Sequence, residues 1–521
     1  MDNLNQHGQL LARLLQQARI SRDEYGKERN AAEKVHIVGA GGTLTAAYEQ
    51  LRNAAEYAEE HLLLERAIRR FYRRLFLLRD GDLISRSGDE LAIELTLAGY
   101  VLNDSIPEVT VQKINNLASL HYSAYESLVR DKRSLSRAEA WTVEVLASEI
   151  EQLLVEQFDR KAFVHFAHQR IMDSVDFGRI FRGKLPPDIE AALFVAIHRA
   201  LLKSDSATVR ASLLERLGQS PRAYSDYIAT NKQIDDLLDS GTVDKLFRYI
   251  DRHGAPLRVL RHLVDSNPDA IDKLQNKNVF LSEYEAQIER DYSNTTQKIN
   301  RGIIKSVIFL IITKFLIGVG LEVPYDYLVA GTILWVPLII NLLFPPLYMV
   351  LLRATLLLPG RANTEKLVSQ VEEMLYGDSK SRQLSRRQTQ QFGVGYTIFY
   401  ALAFVIVFGG VAWLLWRFFG FDIVHLLVFF VFLSAASFLG FRLSRQIREL
   451  ESVDSDQNGV TIARDFLYMP FVVVGRYMSE KYAQVNIVAM TLDMLIELPL
   501  KTILRLIRQW SAFISSKKDQ L

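Results

Sequence analysis

Asp454, Asp456 and Asn458 alternate along a short run that ends in Gly459, and the carbonyl of Val460 and the carboxylate of Asp465 follow. Oxygen donors at alternate positions around a tight turn are the chemistry of a hard divalent cation, Ca²⁺ or Mg²⁺. A second chemistry is suggested by three polar side chains set in apolar sequence: Lys314 within "SVIFLIITKFLIGVG", Asn341 within "NLLFPPLYMV", and His425 near the start of a third apolar run. Groups of this kind inside a bilayer tie helices together or line a polar pathway. A third is carried by "RAIRRFYRRLFLL", where Arg66, Arg69, Arg70, Arg73 and Arg74 fall on one side of a helix opposite Ile68, Phe71, Tyr72 and Leu75. That arrangement suits a helix packed on a core, with anionic lipid headgroups or an acidic partner as the alternative.

The oxygen-rich segment fits D-x-[DN]-x-[DN]-G with a carboxylate at the twelfth position and helical sequence on both sides, so over these twelve residues it resembles an EF-hand calcium loop. It departs from that pattern where Asp465 replaces glutamate and Thr461 stands at a hydrophobic position, and no second hand accompanies it. Two weaker motifs carry less. "VHIVGAGGTL" places Gly39 and Gly41 as a dinucleotide-binding turn would, but Leu44 occupies the third glycine position, and a flexible loop capped by Thr43 explains the stretch. His165 and His168 share a helical face without an evident third ligand, as surface histidines do.

The elements that position these residues are helices. Leu328 to Leu352 and Phe392 to Trp416 are each 25 residues without an ionised side chain, Ile423 to Phe441 gives 19 more, and Gly302 to Leu321 gives a span containing Lys305 and Lys314. About 20 apolar residues cross a hydrocarbon core, so four spans are expected. "EVPYDY" and "RFFGFD" then read as short external connections. The seven Lys/Arg between Arg353 and Gln391, with the basic residues before the first span and after the last, place those segments and both termini in the cytoplasm. Pro337, Pro345 and Pro346 predict a kinked second span. The expected partners of Lys314 are Asn341 and carbonyls freed by these prolines; Glu322 and Asp326 are assigned nearer the outer surface.

The expected organisation is all-α: a cytoplasmic helical domain over 1–300, a first transmembrane hairpin over 302–353, a basic cytoplasmic loop over 354–391, a second hairpin over 392–441, and a tail over 442–521. Thr43 to Arg79, 37 residues without Gly or Pro, is expected to form one long helix of coiled-coil length. "FLYMPFVVVG" at 466–475 is too short to cross. Like the amphipathic stretch 484–510, it is expected on the cytoplasmic face, in the interface or against the hairpins, with a tilted fifth span as the alternative. Absence of cysteine excludes disulfides, thiolate metal sites and cysteine nucleophiles.

The net charge of +2 and the lack of a binding motif argue against nucleic acid as a partner. No P-loop, zincin helix or nucleophile elbow is present, so catalysis is not expected, nor a cofactor beyond the divalent cation at 454–465. The expected function is that of a membrane protein of the plasma or inner membrane whose cytoplasmic domain recruits a protein partner at the lipid bilayer. Ion or solute translocation, regulated by divalent cations, is the alternative, and an enzyme with an unrecognised site the third.

Overall fold

The computed structural model describes residues 4–36, 49, 62–181, 183–267, 270–329, 331–356, 358–377, 394–452, 459–485 and 510. Among these the chain is helical throughout, and its one β feature is an isolated bridge between Lys34 and Pro107. The chain divides into two compact units, Gln6–Asp251 and Arg252–Asn486. The boundary at 300 expected from sequence falls inside one unbroken helix, because turning apolar at residue 302 changes what the helix faces and not its backbone.

In the first unit, α1 (Gln6–Ala31) packs along α5 (Phe158–Ser174), and α2 (Leu63–Leu78) packs on α4 (Val143–Leu154). Ile68, Tyr72 and Phe76 of α2 meet Ile114, Ala118 and Leu128 of α3 (Glu108–Arg130) and Leu146 and Ile150 of α4 in one core. These α2 positions repeat every four residues and share a helical face, which is what seats the helix. Arg79, at φ 54°, ends α2. The expected helix from Thr43 is thus described over Leu63–Leu78 and at Glu49. Helix α6 (Ser206–Arg216) starts on Asp205, whose side chain accepts from the Thr208 amide at 2.9 Å.

The second unit is built on α7 (Lys277–Ile317), 41 residues and about 60 Å long at 1.5 Å per residue. A π-helical turn, Gly318–Glu322, carries it into α8 (Val323–Val329). The other long helices are α9 (Trp335–Thr355), α10 (Arg361–Tyr376), α11 (Val394–Phe419), α12 (Ile423–Arg448) and α13 (Gly459–Val485). Among the described residues, four helical stretches are long and apolar enough to cross a membrane, Lys277–Val329, Trp335–Thr355, Tyr400–Phe419 and Ile423–Arg448. Their outward side chains, such as Ile308, Phe315, Trp335, Leu343, Val405, Trp413 and Leu427, are exposed. An apolar belt of that extent fits a membrane protein in a lipid bilayer.

Two expectations need correction here. "EVPYDY" is not an external loop: it is helical, and Glu322 and Asp326 are buried. The stretch 354–391 holds a helix, α10, whose Leu367, Val371 and Leu375 are buried. Asn363 at its start donates to the Tyr292 hydroxyl and to the Leu450 carbonyl, both at 2.8 Å, while its Oδ1 accepts from the Ser452 amide at 2.6 Å. The stretch "FLYMPFVVVG", expected in the interface or against the hairpins, lies inside α13 and packs along α12, with Phe471 in a cluster with Val407, Phe429 and Leu433. Gly475 makes that packing close, since a Cβ there would overlap the Ser434 carbonyl oxygen and lie 2.7 Å from Phe438 Cβ.

Candidate functional site

Lys314 lies within the apolar part of α7, and eight residues separate it from Glu322. On an uninterrupted α-helix that spacing leaves the two side chains about 80° apart, at 100° per residue. The π turn between them accommodates one extra residue, so the pair behaves roughly as i,i+7 and shares a face. Lys314 Nζ is 2.9 Å from Glu322 Oε1, with the two side chains 1% and 0% exposed. The ammonium also sits 4.7 Å from the centre of the Phe432 ring. Asn341 of α9 donates through Nδ2 to Glu322 Oε2 at 3.1 Å and to the His425 carbonyl at 3.2 Å. Both carboxylate oxygens of Glu322 are thereby engaged, as a charge held out of water requires.

A second group adjoins this one. Asp422 caps α12, accepting from the His425 amide at 3.0 Å, and its Oδ1 lies 2.7 Å from His425 Nδ1. Because a carboxylate oxygen only accepts, Nδ1 carries the proton and donates. The other ring nitrogen, Nε2, faces Asp326 Oδ1 at 3.4 Å, and both residues are buried. Asp326 Oδ2 accepts from the Leu334 amide at 2.9 Å. Neither Asp326 Oδ1 nor His425 Nε2 has a hydrogen-bond partner. Tyr325 and Phe421 flank the imidazole with ring centres at 6.4 and 6.1 Å. Asp422 is one-third exposed and forms the open edge of the group.

Of the residues singled out from sequence, Lys314, Asn341 and His425 thus come together. The expected partner of Lys314 is corrected: its ion pair is with Glu322, which the sequence reading set aside as an outer-surface residue. Glu322, Asp326 and Asp422 were missed as site residues because acidic groups between apolar runs read as loop. The available signal was the i,i+4 spacing of Glu322 and Asp326, which puts both on one helical face.

The arginine face of α2 is engaged within its own unit. Arg69 bonds Glu65 at 2.6 Å and Asp205 at 2.7 Å, and lies 3.6 Å from Glu144. Arg70 pairs with Glu49 at 2.6 Å, Arg73 with Glu139 at 2.7 Å and Arg74 with Glu94 at 2.8 Å. One guanidinium thus faces three carboxylates, and Glu65, the most buried of them, is pushed up to about 8 by its burial, against the pull of Arg69. Burial likewise raises Glu151 to about 7. Asp205 is held low despite its own burial, because Arg69 and the Thr208 amide favour its ionised form.

His165 is exposed, and His168 lies 3.2 Å from the Glu190 carbonyl. The described residues hold one group of three metal-ligand side chains, Asp326, Asp422 and His425. The glycine stretch 39–44, the tail 486–509, and the ligands Asp454, Asp456 and Asn458 with the side chain of Asp465 lie outside the described residues. No protein-family model matches the chain, and comparisons with curated proteins and with solved structures give no match.

Proposed function

We propose that the protein is a multi-pass membrane protein that passes a small cation through its helical membrane unit, with both termini on the cytoplasmic side. The observation that supports this reading is the set Lys314, Glu322, Asn341, His425 and Asp326, each at most 1% exposed, which leads to the partly exposed Asp422. Ionisable groups inside spans are costly to bury, and they mark ion pathways or ties between helices. Two separate charged groups bridged by one amide exceed what a single tie needs.

The test is cation flux in proteoliposomes under an imposed potential, with indicators for H⁺, Na⁺, K⁺ and Zn²⁺. Flux that is lost in Lys314→Met/Glu322→Gln, a double variant that removes both charges, supports translocation. Absence of flux for all four ions, or equal flux in the double variant, overturns it. Thiol labelling tests the orientation in this cysteine-free chain: Thr332→Cys, exposed in the connection between α8 and α9, should react from outside, and Ser381→Cys only after permeabilisation.

The competing reading, recruitment of a protein partner, draws support from the helical unit Gln6–Asp251, which has a core of its own and is larger than an anchor for four spans requires. A stoichiometric complex that survives removal of the membrane charges, together with absence of flux, would favour it.

A further inference from the structure

We infer that His425, Asp326 and Asp422 form a binding site for a divalent first-row transition-metal ion of the Zn²⁺ class. The inference stands on the donor set alone and does not need the translocation reading. The decisive feature is a pair of facing acceptors. Asp422 Oδ1, at 2.7 Å, accepts from His425 Nδ1, so in the neutral ring Nε2 presents its lone pair. Asp326 has one oxygen occupied by the Leu334 amide at 2.9 Å, and its other oxygen faces Nε2 without a donor. Two acceptors buried against each other with nothing between them repel, so a cation completes the arrangement.

The spacing selects the kind of cation. An N–H···O hydrogen bond spans about 2.7–3.2 Å. Two ligand atoms held at about 2.0–2.1 Å from a tetrahedral ion are about 3.3–3.4 Å apart. His425 Nε2 and Asp326 Oδ1 are 3.4 Å apart. Imidazole nitrogen beside carboxylate oxygen favours Zn²⁺, Co²⁺ or Ni²⁺ over Ca²⁺ or Mg²⁺, which take oxygen.

Asp422 then has the place of the carboxylate that orients a metal-bound histidine through its second nitrogen. One ligand atom from each of the three residues lies within 4.8 Å of those from the others, which gathers the two ligands and the orienting carboxylate into one group. Being one-third exposed, it gives the ion and its remaining waters a way in. Phe421 and Tyr325 restrict the rest of the pocket around the ring.

The experiment uses the full chain purified in detergent, with Zn²⁺ binding followed by calorimetry and metal content by elemental analysis. Because the 454–465 segment is a separate candidate for divalent ions, the Asp454→Ala/Asp456→Ala chain serves as the background. In that background one Zn²⁺ per chain is expected. Asp422→Asn should weaken it about tenfold to a hundredfold, as loss of an orienting partner does, and His425→Gln should abolish it.

A His425→Cys chain keeps the proposal testable should these variants fold poorly. The protein has no other cysteine, so Co²⁺ bound at the site must show thiolate-to-metal charge-transfer absorption. Absence of zinc binding by the folded background chain, binding unchanged in His425→Gln, or no charge-transfer band in folded His425→Cys overturns the assignment.

Discussion

The two units bury charge by different rules. Around Arg69 in the first unit, one guanidinium serves three carboxylates, and the arrangement is tolerable because Arg69, Asp205 and Glu144 each keep about a fifth of their side-chain surface in contact with solvent. Water completes what the protein leaves undone, and burial pushes the Glu65 carboxyl upward against the pull of Arg69. Lys314 and Glu322 have no such recourse. Each is sealed, so the ammonium is matched to one carboxylate and the leftover oxygen to one amide. Imbalance is tolerated at a solvent-exposed edge, whereas at the sealed Lys314–Glu322 pair it is cancelled atom by atom.

The sharpest way to break this contrast is to remove one member of the sealed pair. Lys314→Met alone leaves a buried carboxylate without its cation and should cost about 3–5 kcal/mol, read as a lower melting temperature in detergent. Lys314→Met/Glu322→Gln should recover most of that loss. If the single and double variants melt alike, the pair is not sealed as described.

A smaller effect is expected at Gly475. Gly475→Ala forces a methyl group against the backbone of α12 and should cost about 1–3 kcal/mol, the usual range for overpacking. Cross-linking between α12 and α13 should weaken in parallel, whereas an unchanged yield would mean that Gly475 does not face α12.

A third effect belongs to the first unit and shows only against pH. Glu65 binds its proton more tightly folded, about 8, than in its ordinary state, 4.5, so its contribution to stability is complete below pH 4.5 and is lost as pH rises toward 8. Wild-type protein should therefore melt lower at pH 8 than at pH 5.5, and Glu65→Gln should flatten that slope. An equal slope in both chains would mean that Glu65 is ionised throughout.

The spans were legible in the sequence because charge-free length is a local property, and Lys314 stood out for the same reason. Its partner was not legible. Whether Glu322 ends a span or continues it depends on a π turn that keeps the helix going past Gly318 and Gly320, and glycines in that position read equally well as a break. Helix α10 was hidden by its basic surroundings, although Leu367, Val371 and Leu375 repeat at helical spacing. The apolar part of α13 reads as too short to cross, which leaves it between the interface and the hairpins; what seats it on α12 is one missing side chain at Gly475 and one aromatic ring at Phe471. The arginines of α2 announced a charged face, but their carboxylate partners come from Glu49, Glu94, Glu139 and Asp205, positions that only the tertiary fold brings near.

Helix α7 has one more consequence. The same rod carries Asp291, 2.8 Å from His262, and, 23 residues further on, Lys314. That separation is about 35 Å along the axis, so a 5° swing pivoting at Asp291 displaces Lys314 by about 3 Å. Because Glu322 continues the same rod through its π turn, Lys314 and Glu322 move together, and the contact that such a swing would stretch is the 3.1 Å bond from Asn341 of α9 to Glu322. The helix is a lever, and the amide of Asn341 is the latch on its far end.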